Sequence, residues 1–508
     1  MITECASGSG PWATGCGTTS PQRTAQPVAR SLWPVAVLIF AAFHPLTLLA
    51  QAPYVPPSDT LVQKKLAAWK DLRFGLLMHW GPYSQWGVVE SWSICPEDED
   101  WCRRRPEHGA TYNEYVKNYE ALQGTFNPTL FDPDKWARAA KDAGMKYMVF
   151  TTKHHDGFCM FDTRTTDYRL TSPNTPFHDD ARANVTKHIF DAFRAEGLWT
   201  GAYFSKPDWH SPDYWWPYFP PKDRSVNYLP TKHPERWQKF KDYSYTQIEE
   251  LMTGYGPVDI LWLDGGWVRP LNSIDTSVSW QKAITIEQDI DMPRIAAMAR
   301  KHQPGLLVVD RTVGGEYENY VTPEGHVPAA DLGVPWETCM PMGTSWSWVP
   351  NEKYKSTDEI IRTLVSVVSR GGSLLLNVAP GPDGQLDSTA YVRLKEVGEW
   401  LKVNGEAVYG TRASSVGGLS GIIGRTFAWR SGERKTSYVF LDPQLVGAGT
   451  FTIPFSSSVY GEKVSCLGHG KVGFVRSKEG LTLRLPRSVR SSIGQPVVMK
   501  VTFVSSEF

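Results

Sequence analysis

MKYMVFTT at 145–152, followed by Lys153-His154-His155-Asp156, is the stretch on which the fold turns. It is an unbroken apolar run rather than an alternating one, as expected of a parallel strand buried on both faces. Ahead of it Trp136, Ala139, Ala140 and Ala143 fall at i, i+3, i+4 and i+7 on one helical face, and Gly144 stops them. The unit is helix, glycine, apolar strand, polar side chains.

That unit recurs along the chain. Ile189, Ala192 and Phe193 lead through Gly197 to LWTGAYFS; Ile248, Leu251, Met252 and Tyr255 lead through Gly256 to VDILWL, which ends on Asp264. Ile295, Met298, Ala299 and His302 precede LLVV and Asp310-Arg311, and Ile361, Leu364, Val365 and Val368 precede Gly371-Gly372 and SLLLNV, with Asn377 near its end. With RFGLLMHW at 73–80 as the opening strand, six strands are legible. Helices alternating with buried parallel strands predict an α/β fold, a (β/α)8-like TIM barrel. A doubly wound sheet would want a glycine-rich phosphate turn after its first strand, where this chain has His79-Trp80-Gly81-Pro82-Tyr83. In a barrel, groups at the C-terminal ends of different strands converge on one mouth, so His79, His154, His155, Asp264 and Arg311 are expected to meet. The aromatic, Pro-rich stretch 205–240 reads as a large loop over that mouth.

The rest of the chain divides around this barrel. Arg23 and Arg30 precede LWPVAVLIFAAFHPLTLLA, and Leu-Ala-Gln-Ala at 49–52 suits cleavage, so residues 1–52 read as a signal peptide that exports the protein to a periplasm or the cell exterior. Pro34, His44 and Pro45 interrupt the apolar stretch and argue against a membrane span, so no stable membrane association is expected after cleavage. The barrel is assigned to 53–410. Beyond it, short runs such as KTSYVFLD, GLTLRLP and PVVMKVTF between Gly, Ser and Pro predict a C-terminal antiparallel β-sandwich over 411–508. Export permits disulfides, and only Cys95 and Cys102, bracketing the loop ICPEDEDWC, are spaced as a local pair; no C-x2-C zinc motif exists.

Composition narrows the function. Lys+Arg and Asp+Glu both total 53, so no basic field exists to hold nucleic acid. A neutral ligand fits that balance, and 21 Trp with 21 Tyr suit sugars, whose C–H faces stack on aromatic rings. Hydrolysis of a glycosidic bond needs one carboxylate at the anomeric carbon and a second, protonated one at the leaving oxygen. Asp264, ending its strand, suits the first role, and Gly265-Gly266 remove side-chain bulk where a sugar ring would approach.

RFGLLMHWGPYS at 73–84, FTTKHHDGFCMFD at 150–162, DILWLDGGW at 259–267 and WETC with SWSW within 336–348 together resemble the α-L-fucosidases of glycoside hydrolase family 29. The likeness covers roughly residues 60–410. It implies an exo-acting retaining α-L-fucosidase that acts on fucosylated oligosaccharides or glycoconjugates without cofactor or metal. Asp264 would be the nucleophile. Among Glu316, Glu318 and Glu324, the Thr322-Pro323-Glu324 step looks like the family's Thr-x-Glu, which makes Glu324 the acid/base and Glu318 its reserve. A general acid needs a raised pKa, which burial beside Trp or Tyr would supply.

By the same resemblance His79, His154, His155, Tyr203, Trp262 and Arg311 bind fucose, and Trp92 and Trp346 surround its C5 methyl. An apolar pocket for that methyl would disfavour galactose by about 1–3 kcal/mol, because the extra hydroxyl is left unpaired. The family sets a Glu directly before the Trp, whereas here Ser91 separates Glu90 from Trp92, so Glu90 has no assigned role. Two other readings stand beside this one. His79, His154, His155 and Asp264 could hold zinc in a metal-dependent hydrolase barrel, or a catalytically weak barrel could serve as a fucose- or glycan-binding protein. Nothing in the sequence specifies linkage preference or oligomeric state.

Overall fold

The computed structural model describes residues 54–97, 102–414, 421–428, 434–442, 449–454, 460–490 and 494–504. The expected signal peptide lies outside the described residues. No helix among the described residues is long and apolar enough to cross a membrane.

Seven parallel strands form the first sheet: β1 (Phe74–Met78), β2 (Tyr147–Lys153), β3 (Trp199–Ser205), β4 (Ile260–Asp264), β5 (Leu307–Asp310), β6 (Glu337–Pro341) and β7 (Ser373–Asn377). Their order is β5-β4-β3-β2-β1-β7-β6. Every residue of β1, β2, β5 and β7 is buried, as the continuous apolar runs predict. The helix Pro133–Asp142 starts where Asp132 accepts the Lys135 N–H, buries Trp136, Ala137 and Ala140, and ends before Gly144, whose φ of 88° favours glycine. The next unit repeats the device with Val185–Ala195 and Gly197 at φ 78°.

Six of these strands coincide with the runs read from the sequence; β6 does not. Glu337 at its head and Pro341 at its end disguise it as a loop. An irregular segment occupies the eighth position, between β5 and β6. There Asn319 N donates to Val308 O (2.9 Å), Glu337 N donates to Val321 O (2.9 Å) and Gly325 N donates to Cys339 O (2.9 Å). Both neighbouring edges are thereby partly covered, and the segment brings Glu324 beside Cys339.

After the helix Ser388–Asn404 the topology becomes antiparallel. One sheet contains Thr411–Ala413, Ile422–Ala428, Arg434–Leu441, Tyr460–Cys466, Gly470–Lys471 and Val497–Val504; a second contains Thr450–Ile453, Gly473–Ser477 and Gly480–Arg484. Val439, Leu441, Leu483, Met499 and Val501 belong to their common core. Trp400 Nε1–H donates to Pro496 O at 2.9 Å, and the Arg362 guanidinium pairs with Asp442, so these sheets are tied to the barrel helices.

Two local readings change. Cys95 is a buried thiol whose Sγ faces Glu97 Oε2 at 3.6 Å; it does not form a disulfide with Cys102, since both sulfurs are held as thiols. The aromatic stretch after β3 is a loop only as far as His233, because Pro234, well placed at a helix's first turn, begins Pro234–Gly254.

Candidate active site

The strand ends deliver polar groups to one mouth. His79 follows β1, His154 and His155 follow β2, Asp264 ends β4, Arg311 follows β5 and Asn377 ends β7. A narrow pocket there is lined by His79, Trp92, His154, Tyr203, Trp262, Asp264, Arg311, Glu324 and Trp346, together with Leu77, Glu90 and Cys339. Of the two catalytic and eight sugar-binding residues that the resemblance implies, only His155 is absent from this lining; its Nε2 lies 4.0 Å from Asp264 Oδ2.

Asp264 is the centre of the network. Its Oδ1 accepts from Arg311 Nη1 (2.8 Å) and from the Gly265 N–H (2.8 Å), while Oδ2 accepts from the Tyr203 hydroxyl (2.7 Å). Burial raises a carboxyl pKa, but the Arg311 charge, with His155 and the Tyr203 hydroxyl, outweighs it and holds Asp264 well below the usual carboxylate range. It is therefore an anion at neutral pH. The glycines after it serve packing rather than ligand approach: a Cβ on Gly265 would lie 2.2 Å from Pro207 Cδ, and one on Gly266 2.0 Å from Thr312 Oγ1.

Arg311 joins two carboxylates. Nη1 bonds Asp264, Nη2 donates to Glu324 Oε2 at 2.7 Å, and Nε donates to Thr322 Oγ1 at 3.1 Å. The Trp262 ring backs the guanidinium, its centroid 4.4 Å from Cζ. Glu324 is half exposed and lies against this arginine, not in the aromatic enclosure expected for it. Glu318, the reserve, is buried and absent from the pocket wall. Its Oε1 accepts the Thr312 N–H (2.8 Å) and its Oε2 the Gly314 N–H (3.0 Å), and burial pushes its pKa up to about 7.

The three histidines are neutral at neutral pH. Burial lowers His79 and His155 to about 4 and holds His154 well below the usual imidazole value. Their tautomers follow from their partners. Asn377 Nδ2 donates to Trp346 O (2.7 Å), so Asn377 Oδ1 is the acceptor facing His79 Nδ1 (2.8 Å), and the proton belongs on Nδ1. Ser205 Oγ donates to Pro207 O (2.6 Å) and therefore accepts from His155 Nδ1 (2.6 Å). Each ring thus keeps its Nε2 lone pair. His154 Nδ1 bonds Ser91 Oγ, the residue that separates Glu90 from Trp92.

Glu90 is the group the sequence left unassigned. It is buried in the pocket wall, its Oε1 has no hydrogen-bond partner among the described residues, and burial, then the charges of Glu324 and Asp264, push its pKa well above the carboxylate range. On the apolar side, the Trp92 ring meets His155 edge-on at 5.4 Å and Trp346 lies 5.4 Å from His79.

A metal fits this site poorly. Donor atoms of His154, His155 and Asp264 lie within 4.8 Å of one another, yet Asp264 already accepts from a guanidinium, a tyrosyl hydroxyl and a backbone N–H. A dication would sit against the Arg311 charge.

A pocket at the C-terminal mouth of a parallel barrel, with an anionic aspartate bridged to a glutamate and walled by Trp and His, belongs to a glycoside hydrolase. The family model described as alpha-L-fucosidase matches residues 42–406. Rat (Rattus norvegicus) plasma alpha-L-fucosidase is 27% identical over 491 residues, covering 88% of this chain and 94% of its own. Among solved structures, alpha-L-fucosidase isoenzyme 1 from Paenibacillus thiaminolyticus aligns with a TM-score of 0.69 at 27% identity, over 87% of this chain and 100% of that one. The Thermotoga maritima alpha-fucosidase in complex with a mechanism-based inhibitor aligns with 0.63 at 25%, over 88% and 100%. The chain belongs to the α-L-fucosidase family.

Proposed function

We propose that the protein is an exo-acting retaining α-L-fucosidase that removes terminal α-L-fucosyl residues from fucosylated oligosaccharides or glycoconjugates by double displacement. The observation that carries this reading is the Arg311 fork, which bonds Asp264 with one nitrogen and Glu324 with the other. It keeps the first ionised and brings the second to the same guanidinium; for retention the two carboxyl groups are expected about 5–5.5 Å apart.

In the first step an oxygen of Asp264 attacks C1 of the fucosyl unit while Glu324 gives a proton to the departing glycosidic oxygen, leaving a fucosyl ester on Asp264. Water, deprotonated by Glu324, then attacks C1 and releases fucose and the Asp264 carboxylate. The Nε2 atom of His79 accepts a ring hydroxyl, His154, Tyr203 and Trp262 wall the ring with His155 behind them, and Trp92 and Trp346 enclose the C5 methyl. In this reading residues 53–410 are the catalytic unit, 411–508 support it, and 1–52 direct export.

Azide rescue tests the acid/base role. Glu324→Ala is expected to lose about 100-fold or more of kcat/KM on a poorly activated fucoside. Azide should restore turnover of an activated aryl fucoside and yield α-fucosyl azide, because it takes water's place in the second displacement. Rescue of Glu90→Ala instead would transfer the role to Glu90, a second reading favoured by its buried, protonated carboxyl facing the same pocket. Rescue of Glu318→Ala would transfer it there.

Removing metals discriminates against the zinc-hydrolase reading. Exhaustive chelation is expected to leave kcat/KM on an aryl α-L-fucoside within about twofold. Loss restored by added zinc would overturn the carboxylate mechanism.

A further inference from the structure

We infer that Glu337, at the head of β6, is a positioning residue for the sugar pocket: it holds the Trp262 indole that backs Arg311, and through that pair it aligns Asp264 with Glu324. The inference rests on the nucleophile and acid/base roles proposed above.

Glu337 is completely buried and does not line the pocket. Its Oε1 accepts from Trp262 Nε1–H at 3.2 Å, and its Oε2 accepts from the Tyr147 hydroxyl at 2.5 Å. Tyr147 reaches it across β1 only because residue 75 is glycine; a Cβ there would lie 2.4 Å from the tyrosine ring. Glu337 therefore ties β2, β4 and β6 together beneath the pocket floor, where an apolar side chain would otherwise fill the barrel. A buried acid without a bonded cation is a costly choice for packing alone, and here its polar atoms face one indole and the phenols of Tyr147 and Tyr320.

What the indole does next links the floor to the reacting groups. With its N–H held, the Trp262 ring stacks on Tyr203 (5.2 Å between centroids) and presents its face to the Arg311 guanidinium at 4.4 Å. Tyr203 and Arg311 are the two side chains that donate to Asp264. A tilt of Trp262 would disturb both. The charged or titratable groups facing Glu337 are Tyr147 from β2, Tyr320 from the segment before β6, and Arg311 after β5, with Cys339 two places along its own strand. Burial, only partly opposed by the bonds from Tyr147 and Trp262, pushes the carboxyl up to about 7. Below that pH it is neutral, so glutamine is its conservative replacement.

The experiment measures kcat and KM on an aryl α-L-fucoside at about pH 5.5 for Glu337→Gln, Glu337→Met, Trp262→Phe and the double variant Glu337→Met/Trp262→Phe. Glutamine, which still accepts from the indole, should keep kcat within about threefold. Methionine, which cannot, should lower kcat tenfold or more with KM within about twofold, because the alignment matters in the transition state. In the Trp262→Phe background, where no indole N–H remains, the same methionine change should cost less than threefold. An unchanged kcat for Glu337→Met, or an equal loss in both backgrounds, would overturn the inference. If Glu337→Met does not fold, Tyr147→Phe takes its place. There, a kcat at least threefold lower with KM within twofold supports the role, and an unchanged kcat refutes it. Absence of fucoside hydrolysis in the parent protein would instead refute the proposed function and leave Glu337 out of the question.

Discussion

Asp264→Ala and Asp264→Gly are expected to lower kcat on an aryl α-L-fucoside by about 1,000-fold or more, which corresponds to about 4 kcal/mol of lost transition-state stabilisation. Either change removes the pocket carboxylate that the Arg311 charge holds ionised, and no neighbour is placed to substitute for it at C1. Glu324 is held by the other nitrogen of Arg311, and the Glu90 carboxyl is protonated. Fucose binding should remain measurable by calorimetry, since His79, His154, Trp92 and Trp346 are untouched. Asp264→Ala also leaves a buried guanidinium with half its counter-charge, so a lower melting temperature is expected alongside the kinetic loss. Hydrolysis at the parent rate by both variants would remove Asp264 from the nucleophile's role.

Arg311→Met is expected to be nearly as severe, lowering kcat/KM by about 100- to 1,000-fold, in the range seen when one preorganised electrostatic group is deleted. The pH dependence distinguishes this loss from simple misfolding. Arg311 is the largest of the influences that hold Asp264 below the usual carboxylate range, so without it the pKa rises. The acidic limb of kcat/KM should move to higher pH. Stability follows the same sign. A carboxyl depressed in the folded state stabilises above its unfolded pKa of about 3.9, and that contribution disappears as pH falls through the folded value. The parent should therefore lose melting temperature below about pH 4 more steeply than the variant, whose Asp264 binds its proton more readily when folded. Arg311→Lys retains the charge but not the two-pronged geometry and should recover the acid limb better than the rate. Identical acid limbs in parent and Arg311→Met would show that Arg311 does not govern Asp264.

Much of the scaffold was legible because its signals are local. The stripe on Pro133–Asp142, the stop at Gly144 and the buried run of β2 lie within about twenty consecutive residues, and hydrophobic periodicity reads that scale well. β6 escaped because Glu337 and Pro341 interrupt its apolar pattern, and the eighth position escaped because its pairing is irregular. The Cys95–Cys102 spacing suggested a bridge that the packing does not make, since spacing alone says nothing about where two Cβ vectors point.

The sequence by itself determined the class of fold, the placement of polar groups at the strand ends, and the family motifs from His79 to Trp346. Only the tertiary structure decided what those groups are chemically. Arg311 meets Asp264 across 47 residues, Trp262 meets Glu337 across 75, and Asn377 selects the tautomer of His79 across 298. Ionisation states and hydrogen-bond roles depend on burial and on neighbours brought from distant strands, and neither quantity exists until the barrel closes around them.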